Sequence, residues 1–471
     1  MAAFRGSVIG LVVFGACLTA FGAAAVETVT LSDSARVGDS TQVLILLKAE
    51  GLYRPAPPPG TAKPEPVKPL KLKVETRLEF VERVLATDTQ GKPGRATRVV
   101  RKVSQAASAI NGEIRPTAAV LRPEVALLVA EPRAEGVVVF SPGGPLTRSE
   151  LELVQAAADP LALAALLTDK PVKVGDSWKV GDDGARSLSS YDTLTENALQ
   201  AKVESIDART VKIHLEGNVR GAVLGGEGKM LFDGTLSVDR AAGRIDRLHL
   251  QRSEARKPGA VEAGLEVKST LTVTRQTAEP SAQIADDAVA AGAGAVEPDP
   301  KREQLLLVSP DGKYTLTHDR NWHTYWDDRR LTVLKRLDRG VVVAQCNLMN
   351  GPSAGKGRHQ DLKQFRNDLR SALGPRFASF LGEGEVEGDP AGGFRYKVGV
   401  QGREGNLGLV WYYYLIASPD GDQLLATFTQ ADDRVKAFGD QDLRLIGSLR
   451  WRDAPEAAPR PTPTPELNSK P

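Results

Sequence analysis

A serine in a glycine-rich loop is the first candidate for chemistry in this sequence. Gly351-Pro352-Ser353-Ala354-Gly355 matches the spelling of a nucleophile elbow, in which a serine between a strand and a helix attacks a carbonyl carbon. Proline precedes the serine, extra residues separate it from the next predicted helix, and His359 is the only later histidine. Because these features depart from the elbow, we predict a flexible glycine loop and no hydrolase.

A stripe of carboxylates is the second candidate. Glu383, Glu385 and Glu387 alternate along a predicted strand and would share one face, where they could hold a hard cation such as calcium. The same pattern is typical of an exposed strand edge that resists pairing with another chain. No calcium-binding loop accompanies the stripe, so we favour the exposed edge and keep the cation as an alternative.

The remaining motifs argue against two common enzyme classes. The histidines contain no His-x-x-x-His pair of the kind that a helical zinc site uses; they are His214, His249, His318, His323 and His359. The glycines around Lys229 and Lys356 lack the spacing of a phosphate-binding loop. We therefore predict no catalytic, metal-binding or cofactor-binding residue, and we expect that the protein is not an enzyme.

An aromatic cluster is the best candidate for a binding surface. Trp322, His323, Tyr325 and Trp326 stand close together, followed by two aspartates and two arginines. An exposed patch of aromatic and charged side chains suits a protein partner. The same residues could instead cover the sheet of their own domain. Both alternatives stay open, and these four residues are our candidate partner surface.

A predicted hairpin at Leu407 to Thr429 organises this half of the chain. Two β-rich runs flank the turn Ser418-Pro419-Asp420-Gly421. Pro419 presets φ and Gly421 supplies a positive φ, so the segment predicts two antiparallel strands joined by a tight turn.

Residues 302–452 predict a second domain around this hairpin. An amphipathic helix at Asp361 to Leu373 separates two groups of strands, and a helical stretch closes the domain. Together with Trp411-Tyr412-Tyr413-Tyr414, the hairpin turn and the run from Phe438 to Leu449, this order resembles the PsbP/Mog1-like family. The resemblance implies an α/β/α sandwich. Its members include photosystem subunits, a GTPase-binding factor and bacterial secreted proteins, so it implies no single activity.

Residues 26–275 predict a β-rich α+β domain. Leu70, Leu72 and Val74 alternate with charged residues, as in a half-buried antiparallel strand, and five more strands are predicted between Gln200 and Thr274. Thr147 and Glu150 form a capping box at the start of a helical segment. We expect a large curved antiparallel sheet packed on this segment.

A short motif in this domain suggests a ligand. Val174-Gly175-Asp176-Ser177-Trp178, followed by strands, resembles uncharacterised bacterial envelope proteins, some of which are similar to lipoprotein carriers of the LolA type. This resemblance implies that the sheet could bind an acyl chain or a peptide. A closed core without a cavity is the alternative.

The N-terminus predicts export. Residues 1–25 combine Arg5, an apolar run from Val8 to Ala20 and the small residues Ala23-Ala24-Ala25, which is the pattern of a signal peptide. We expect a periplasmic or secreted protein, with a lipid anchor at Cys17 as the alternative. Cys346 is then the remaining cysteine, and its apolar surroundings predict a buried thiol.

Two segments have the composition of disordered chain. Residues 276–301 predict a linker between two independently folding parts, and residues 453–471 predict a disordered tail. A formal charge of +2 over 471 residues gives no indication of nucleic-acid binding. No apolar run after the signal segment reaches the roughly 18 residues that a transmembrane helix needs.

These features predict a non-enzymatic secreted or envelope protein. We expect the second domain to act as a binding or scaffold module for a protein partner. The alternative is a carrier or sensor of a lipid or small apolar ligand in the N-terminal curved sheet.

Overall fold

The structure is a computed structural model of the chain. It describes residues 27–55, 68–111, 113–114, 121–134, 136–291, 296–387 and 393–452. The predicted signal peptide, Cys17, the predicted tail and most of the proline-rich stretch 54–69 lie outside these residues.

Fourteen described strands precede residue 278. They are β1 (Ser40–Arg54), β2 (Leu70–Thr87), β3 (Ala96–Ile110), β4 (Glu113–Ile114), β5 (Leu127–Arg133), β6 (Gly136–Phe140), β7 (Leu146–Thr147), β8 (Ser177–Lys179), β9 (Thr193–Asn197), β10 (Gln200–Ile206), β11 (Thr210–Val223), β12 (Gly226–Asp239), β13 (Arg244–Arg256) and β14 (Gly264–Thr277). All but β7 form one sheet in the order β6-β5-β3-β2-β1-β14-β13-β12-β11-β10-β8, with β4 beside β3 and β9 beside β11. The prediction of a large curved antiparallel sheet is confirmed.

One face of this sheet carries the first hydrophobic core. Val43 and Ile45 of β1 lie on one face of their strand and pair with Phe80 and Leu78 of β2, which alternate with charged residues, so that the four side chains are buried together. These side chains pack against three short helices, which are α1 (Arg148–Val154), a 3-10 helix (Pro160–Leu166) and α2 (Asp182–Ser189). We call this face the inner face and the opposite face the outer face.

The helical layer begins as its capping residues predict. The Thr147 hydroxyl accepts a hydrogen bond from the backbone N–H of Glu150, and the Glu150 carboxylate accepts one from the backbone N–H of Thr147. This capping box satisfies two N–H groups that the first turn of a helix leaves unpaired. Pro160 starts a new helix, as expected of a residue that cannot continue one.

The structure differs from the predicted disordered linker over the described parts of residues 276–301. A 3-10 helix at Ala282–Ile284 and α3 (Asp286–Ala291) lie there, and Ile284 is fully buried. Val296 is also buried and packs with Val129 and Phe140. The composition of this segment is that of a linker, but two apolar side chains tie it to the sheet.

The second part of the chain contains ten described strands and three helices. They are β15 (Leu305–Val308), β16 (Tyr314–His318), β17 (Trp322–Asp327), β18 (Leu331–Asp338), β19 (Val341–Asn350), β20 (Phe377–Glu385), β21 (Phe394–Glu404), β22 (Leu407–Ala417), β23 (Gln423–Ala431), β24 (Arg450–Trp451), α4 (Leu362–Leu373), α5 (Val435–Phe438) and α6 (Gln441–Gly447). Seven strands form a sheet in the order β17-β18-β19-β23-β22-β21-β20. The predicted hairpin, β22–β23, lies within it, and Gly421 in its turn has φ 89°.

Helices cover both faces of this sheet in part. Phe365 and Leu369 of α4 pack with Trp411 on one face. Phe438 of α5 and Ile446 of α6 pack on the other face, in a second core. None of the helices in the described part of the chain is long and apolar enough to cross a membrane.

A third, small sheet joins the two parts of the chain. Its order is β24-β16-β15-β7, and β7 lies parallel to β15 through the pair Leu146 and Leu305. Leu305 is fully buried in the first core. The prediction of two independently folding parts does not include this contact. No local sequence pattern indicates that the two-residue strand β7 pairs with β15, about 160 positions later.

Candidate ligand-binding face

Beyond the helical layer, the inner face of the large sheet continues as an apolar surface. On β2 and β14 its apolar side chains alternate with charged ones, and none of its side chains belongs to or packs against a described core cluster. Leu70 is 46% exposed and the others are half-buried. We name this set the apolar strip; it consists of Ala49, Tyr53, Leu70, Leu72, Val74, Ile110, Leu265 and Val267.

The strand register places the apolar strip in rows. Directly paired residues of antiparallel strands lie side by side on the same face. The rows are Ser269, Ala49, Val74 and Ile110, then Val267, Gly51 and Leu72, then Leu265, Tyr53 and Leu70. Gly51 leaves a gap in the middle row, and a Cβ atom there would lie 2.1 Å from the carbonyl oxygen of Glu266.

The outer face of the same strands is mostly polar, with Leu52 of β1 as an apolar exception. Lys71, Lys73 and Glu75 of β2 are exposed there, as are Lys48 and Glu50 of β1. A shallow groove of about 510 Å³ lies on this face, and most of the residues that line it are polar or charged. The two faces of one sheet therefore differ in chemistry well past the edge of the helical layer.

Charged residues of β13 border the apolar strip on the inner face. Arg252, Glu254 and Arg256 pair with Ser269, Val267 and Leu265 respectively. Arg252 donates hydrogen bonds to Ser269 Oγ and to the Leu188 carbonyl, both at 3.1 Å, and forms no ion pair with a described carboxylate. Burial lowers the pKa of Arg252.

The neighbouring ion pairs are loose. Arg256 Nε lies 3.6 Å from Glu254 Oε1, and neither atom has a hydrogen-bond partner among the described residues. Arg256 also lies 3.8 Å from Glu262. Burial raises the pKa of both Glu254 and Glu262. We name Arg252, Glu254 and Arg256 the polar border.

A second charged network lies deep in the first core. Both terminal nitrogens of Arg101 donate to Asp159 at 2.7 Å, and its Nε donates to Glu82 at 3.2 Å. The side chain of Arg101 is 2% exposed and lies over the Phe80 ring. Burial disfavours the cation, but the two carboxylates outweigh it and raise its pKa. This network fastens the helical layer to the sheet.

The predicted partner surface is divided by the structure. Trp322 is 1% exposed and packs edge-on against Phe428 and Phe438. It is therefore no part of an exposed surface, because its position on β17 turns it into the second core. The remaining three residues of the cluster, His323, Tyr325 and Trp326, are half-buried.

Those three residues border a polar part of the second sheet. The Lys335 ammonium lies 3.3 Å from the centre of the Tyr325 ring, and burial lowers the pKa of His323 to about 4. Register places half-buried Gln345 and Asn347 of β19 beside Thr429 and Thr427 of β23 on the face that carries Trp411. No sequence pattern indicates this row, because its residues come together only through the pairing of β19 with β23.

The structure gives Ser353 and His359 different partners. Ser353 Oγ donates to the Gly421 carbonyl at 3.2 Å, whereas the His359 ring stacks on Phe394. Glu383 forms an ion pair with Arg366 at 2.9 Å. Among the described residues, no three His, Cys, Asp or Glu side chains could hold a metal ion together.

The predicted burial of Cys346 is confirmed, and Trp178 of the short motif also lies against a core. Cys346 is fully buried, and burial raises the pKa of its thiol. Trp178 packs against the first core and donates from Nε1 to the Leu166 carbonyl at 3.0 Å.

No family model matches this chain, and no curated protein is significantly similar to it. A structure from Bacteroides thetaiotaomicron is 11% identical, covering 31% of this chain and 48% of its own, with a TM-score of 0.24. A lipovitellin is 10% identical over 53% of this chain and 26% of its own, with a TM-score of 0.29. A porin of Rh. blastica is 8% identical over 83% of this chain and 98% of its own, with a TM-score of 0.11. The chain spans less than half the length of the first two structures.

Proposed function

We propose that this protein binds an apolar chain, such as the acyl chain of a lipid, on the apolar strip. The observation that supports this function is the alternation of apolar and charged residues on β2 and β14 where no described core covers the inner face. If this part of the inner face contacted only water, we would expect polar residues in place of Leu72, Val74 and Val267, because polar residues suit exposed strand positions. An apolar ligand accounts for them.

The proposed ligand fits the dimensions of the strip. It crosses four neighbouring strands, which gives a width of roughly 14 Å, and each row is separated from the next by two residues along a strand, or roughly 7 Å. Gly51 lowers the middle row between Val267 and Leu72. An extended chain lying in that row would contact apolar side chains on both sides.

Binding of an uncharged apolar dye, N-phenyl-1-naphthylamine, tests this function, with displacement by hexadecanol. We expect Val74→Glu to weaken both by tenfold or more, since a charge replaces an apolar contact. Lys73→Glu is the matched control, because it places the same side chain on the outer face of the same strand and should leave both affinities unchanged. Equal effects of the two variants, or no saturable binding by the unaltered protein, would refute the proposal.

A second candidate function uses the other half of the chain. We propose that Tyr325 and Trp326, with Gln345 and Asn347, bind a protein partner on the polar part of the second sheet. The half-buried aromatic rings and the neighbouring polar side chains support this candidate, since aromatic side chains are enriched at interfaces. Native mass spectrometry of the protein from its own envelope fraction should show a retained partner that Trp326→Ala loses and Leu407→Ala keeps.

The setting of both candidates is also proposed. We place the protein outside the cytoplasm, on the strength of the predicted signal peptide at residues 1–25. We also propose that the second part is a PsbP/Mog1-like sandwich. The position of α4 on one face of its sheet and of α5 and α6 on the other supports that assignment.

A further inference from the structure

The polar border adjoins the apolar strip without any intervening strand. Glu254 pairs directly with Val267, and Arg256 pairs directly with Leu265, so the charged and the apolar side chains are nearest neighbours on the inner face. A ligand lying along the strip would meet these groups at its end. This arrangement matches an amphiphile, which has an apolar chain and a polar head group.

The cations of the polar border are poorly matched by anions. Arg252 donates to two neutral oxygens, Ser269 Oγ and the Leu188 carbonyl, and forms no ion pair with a described carboxylate. Arg256 faces Glu254 at 3.6 Å, a separation beyond hydrogen-bond distance, and its Nε is left without a partner. Buried polar groups are nearly always hydrogen-bonded, so this N–H group is suited to donate to an acceptor from outside the chain.

Glu254 does not supply that partner well. Burial raises its pKa, which means that the neutral acid is favoured relative to an exposed glutamate. Its side chain and that of Arg256 are 13% and 12% exposed, so both sit at the boundary of solvent and core. An anion from outside would pair with the guanidinium groups in a region of low dielectric constant, where such bonds are strong.

We propose that Arg252 and Arg256 bind the anionic head group of the amphiphile whose chain occupies the apolar strip. This inference rests on the proposed function and names its ligand class, a long-chain anion. A free carboxylate and a phospholipid phosphate share the required chemistry, because both present oxygens to an arginine.

Displacement of N-phenyl-1-naphthylamine by palmitate and by hexadecanol tests the head-group site in the full chain. The two ligands share a chain length and differ in charge. We expect palmitate to bind at least tenfold more tightly than hexadecanol. Arg256→Gln should weaken palmitate binding roughly 10- to 100-fold, the range of a lost hydrogen bond to a charged group, and leave hexadecanol binding unchanged.

Two further variants distinguish a loss of head-group binding from a loss of folding. Arg247→Gln removes an exposed arginine from the outer face of the same strand and should bind both ligands normally. Arg256→Lys keeps the charge and should retain most of the preference for palmitate. Equal affinities for palmitate and hexadecanol in the unaltered protein would overturn the head-group site while the proposed function stands. Absence of binding to either ligand would overturn both.

A second competition experiment distinguishes a phospholipid phosphate from a free carboxylate as the bound anion. Phosphatidylglycerol vesicles replace palmitate as the competitor at equal acyl-chain concentration. Displacement by vesicles that Arg256→Gln abolishes assigns the site to a phospholipid, whereas displacement by palmitate alone assigns it to a free carboxylate.

Discussion

At the scale of single residues, Arg101 and Asp159 show how charge can hold an apolar core together. Asp159 precedes the 3-10 helix, caps it by accepting from the Leu161 N–H at 3.0 Å, and binds Arg101 of the sheet through both oxygens. Because one carboxylate serves both partners, its removal leaves a buried cation and an uncapped helix.

Asp159→Ala should therefore destabilise the fold strongly. We expect a loss of roughly 3–5 kcal/mol in the free energy of unfolding, the usual consequence of breaking a buried pair by removing one partner. Urea unfolding measures it. Asp169→Ala is the control, since its carboxylate is 93% exposed in its pair with Arg95 and should change stability by less than roughly 1 kcal/mol. Similar losses for both variants would contradict this account.

His318 predicts a dependence of stability on pH. It is 4% exposed beside Arg148 and Asp319, and burial lowers its pKa from 6.5 to about 4. The unfolded chain therefore binds the proton more readily than the folded chain. Its contribution to stability is complete above pH 6.5 and is lost as pH falls toward 4, by roughly 3 kcal/mol.

Thermal unfolding between pH 7 and 4 tests this dependence. His318→Gln should reduce the loss of stability between pH 7 and 4. It should not abolish that loss, because His323 and other groups contribute the rest. His249→Gln, on the exposed outer face of the large sheet, should leave the curve unchanged. An unaltered acid loss in His318→Gln would exclude His318 as its source.

At the scale of elements, the sequence predicted strands well where alternation was visible. Five strands, β10 to β14, occupy the region where five were predicted, and the hairpin β22–β23 forms with its glycine in the turn. The pairing of β1 with β14 could not be predicted, because it joins residues more than 200 positions apart and depends on closure of the whole sheet. The apolar strip was visible only as the alternation of Leu70, Leu72 and Val74, and its exposure depends on where the helices end.

Gly51 is required by the close approach of β1 and β14. Since a Cβ atom would lie 2.1 Å from the Glu266 oxygen, Gly51→Ala must push the two strands apart. We expect a loss of roughly 1–3 kcal/mol, as for other overpacked sites. Gly382→Ala is the control on strand β20, where a Cβ atom would meet nothing within 4 Å. Thermal unfolding followed by circular dichroism should show a lower melting temperature for Gly51→Ala than for Gly382→Ala. Unchanged stability of Gly51→Ala would show that β1 and β14 can move apart without cost.

At the scale of the whole molecule, the two parts are joined by more than a connecting segment. Arg148 at the start of α1 donates to the carbonyls of Arg320 and Trp322, both at 2.9 Å. Arg133 pairs with Glu303 at 2.7 Å. Together with the strand pair β7–β15, these contacts couple the first core to the second part of the chain.

Leu305 is the residue through which this coupling can be measured. It belongs to the second part in sequence but is fully buried in the first core, so Leu305→Ala should cost roughly 2–5 kcal/mol. Hydrogen exchange should then rise in residues 146–154 and 305–318 together. Val308→Ala, on the same strand but 37% exposed, is the control and should alter neither segment. Faster exchange in residues 305–318 alone would mean that the small sheet is a contact between separate domains; a rise in both segments means that the two parts are stabilised as one.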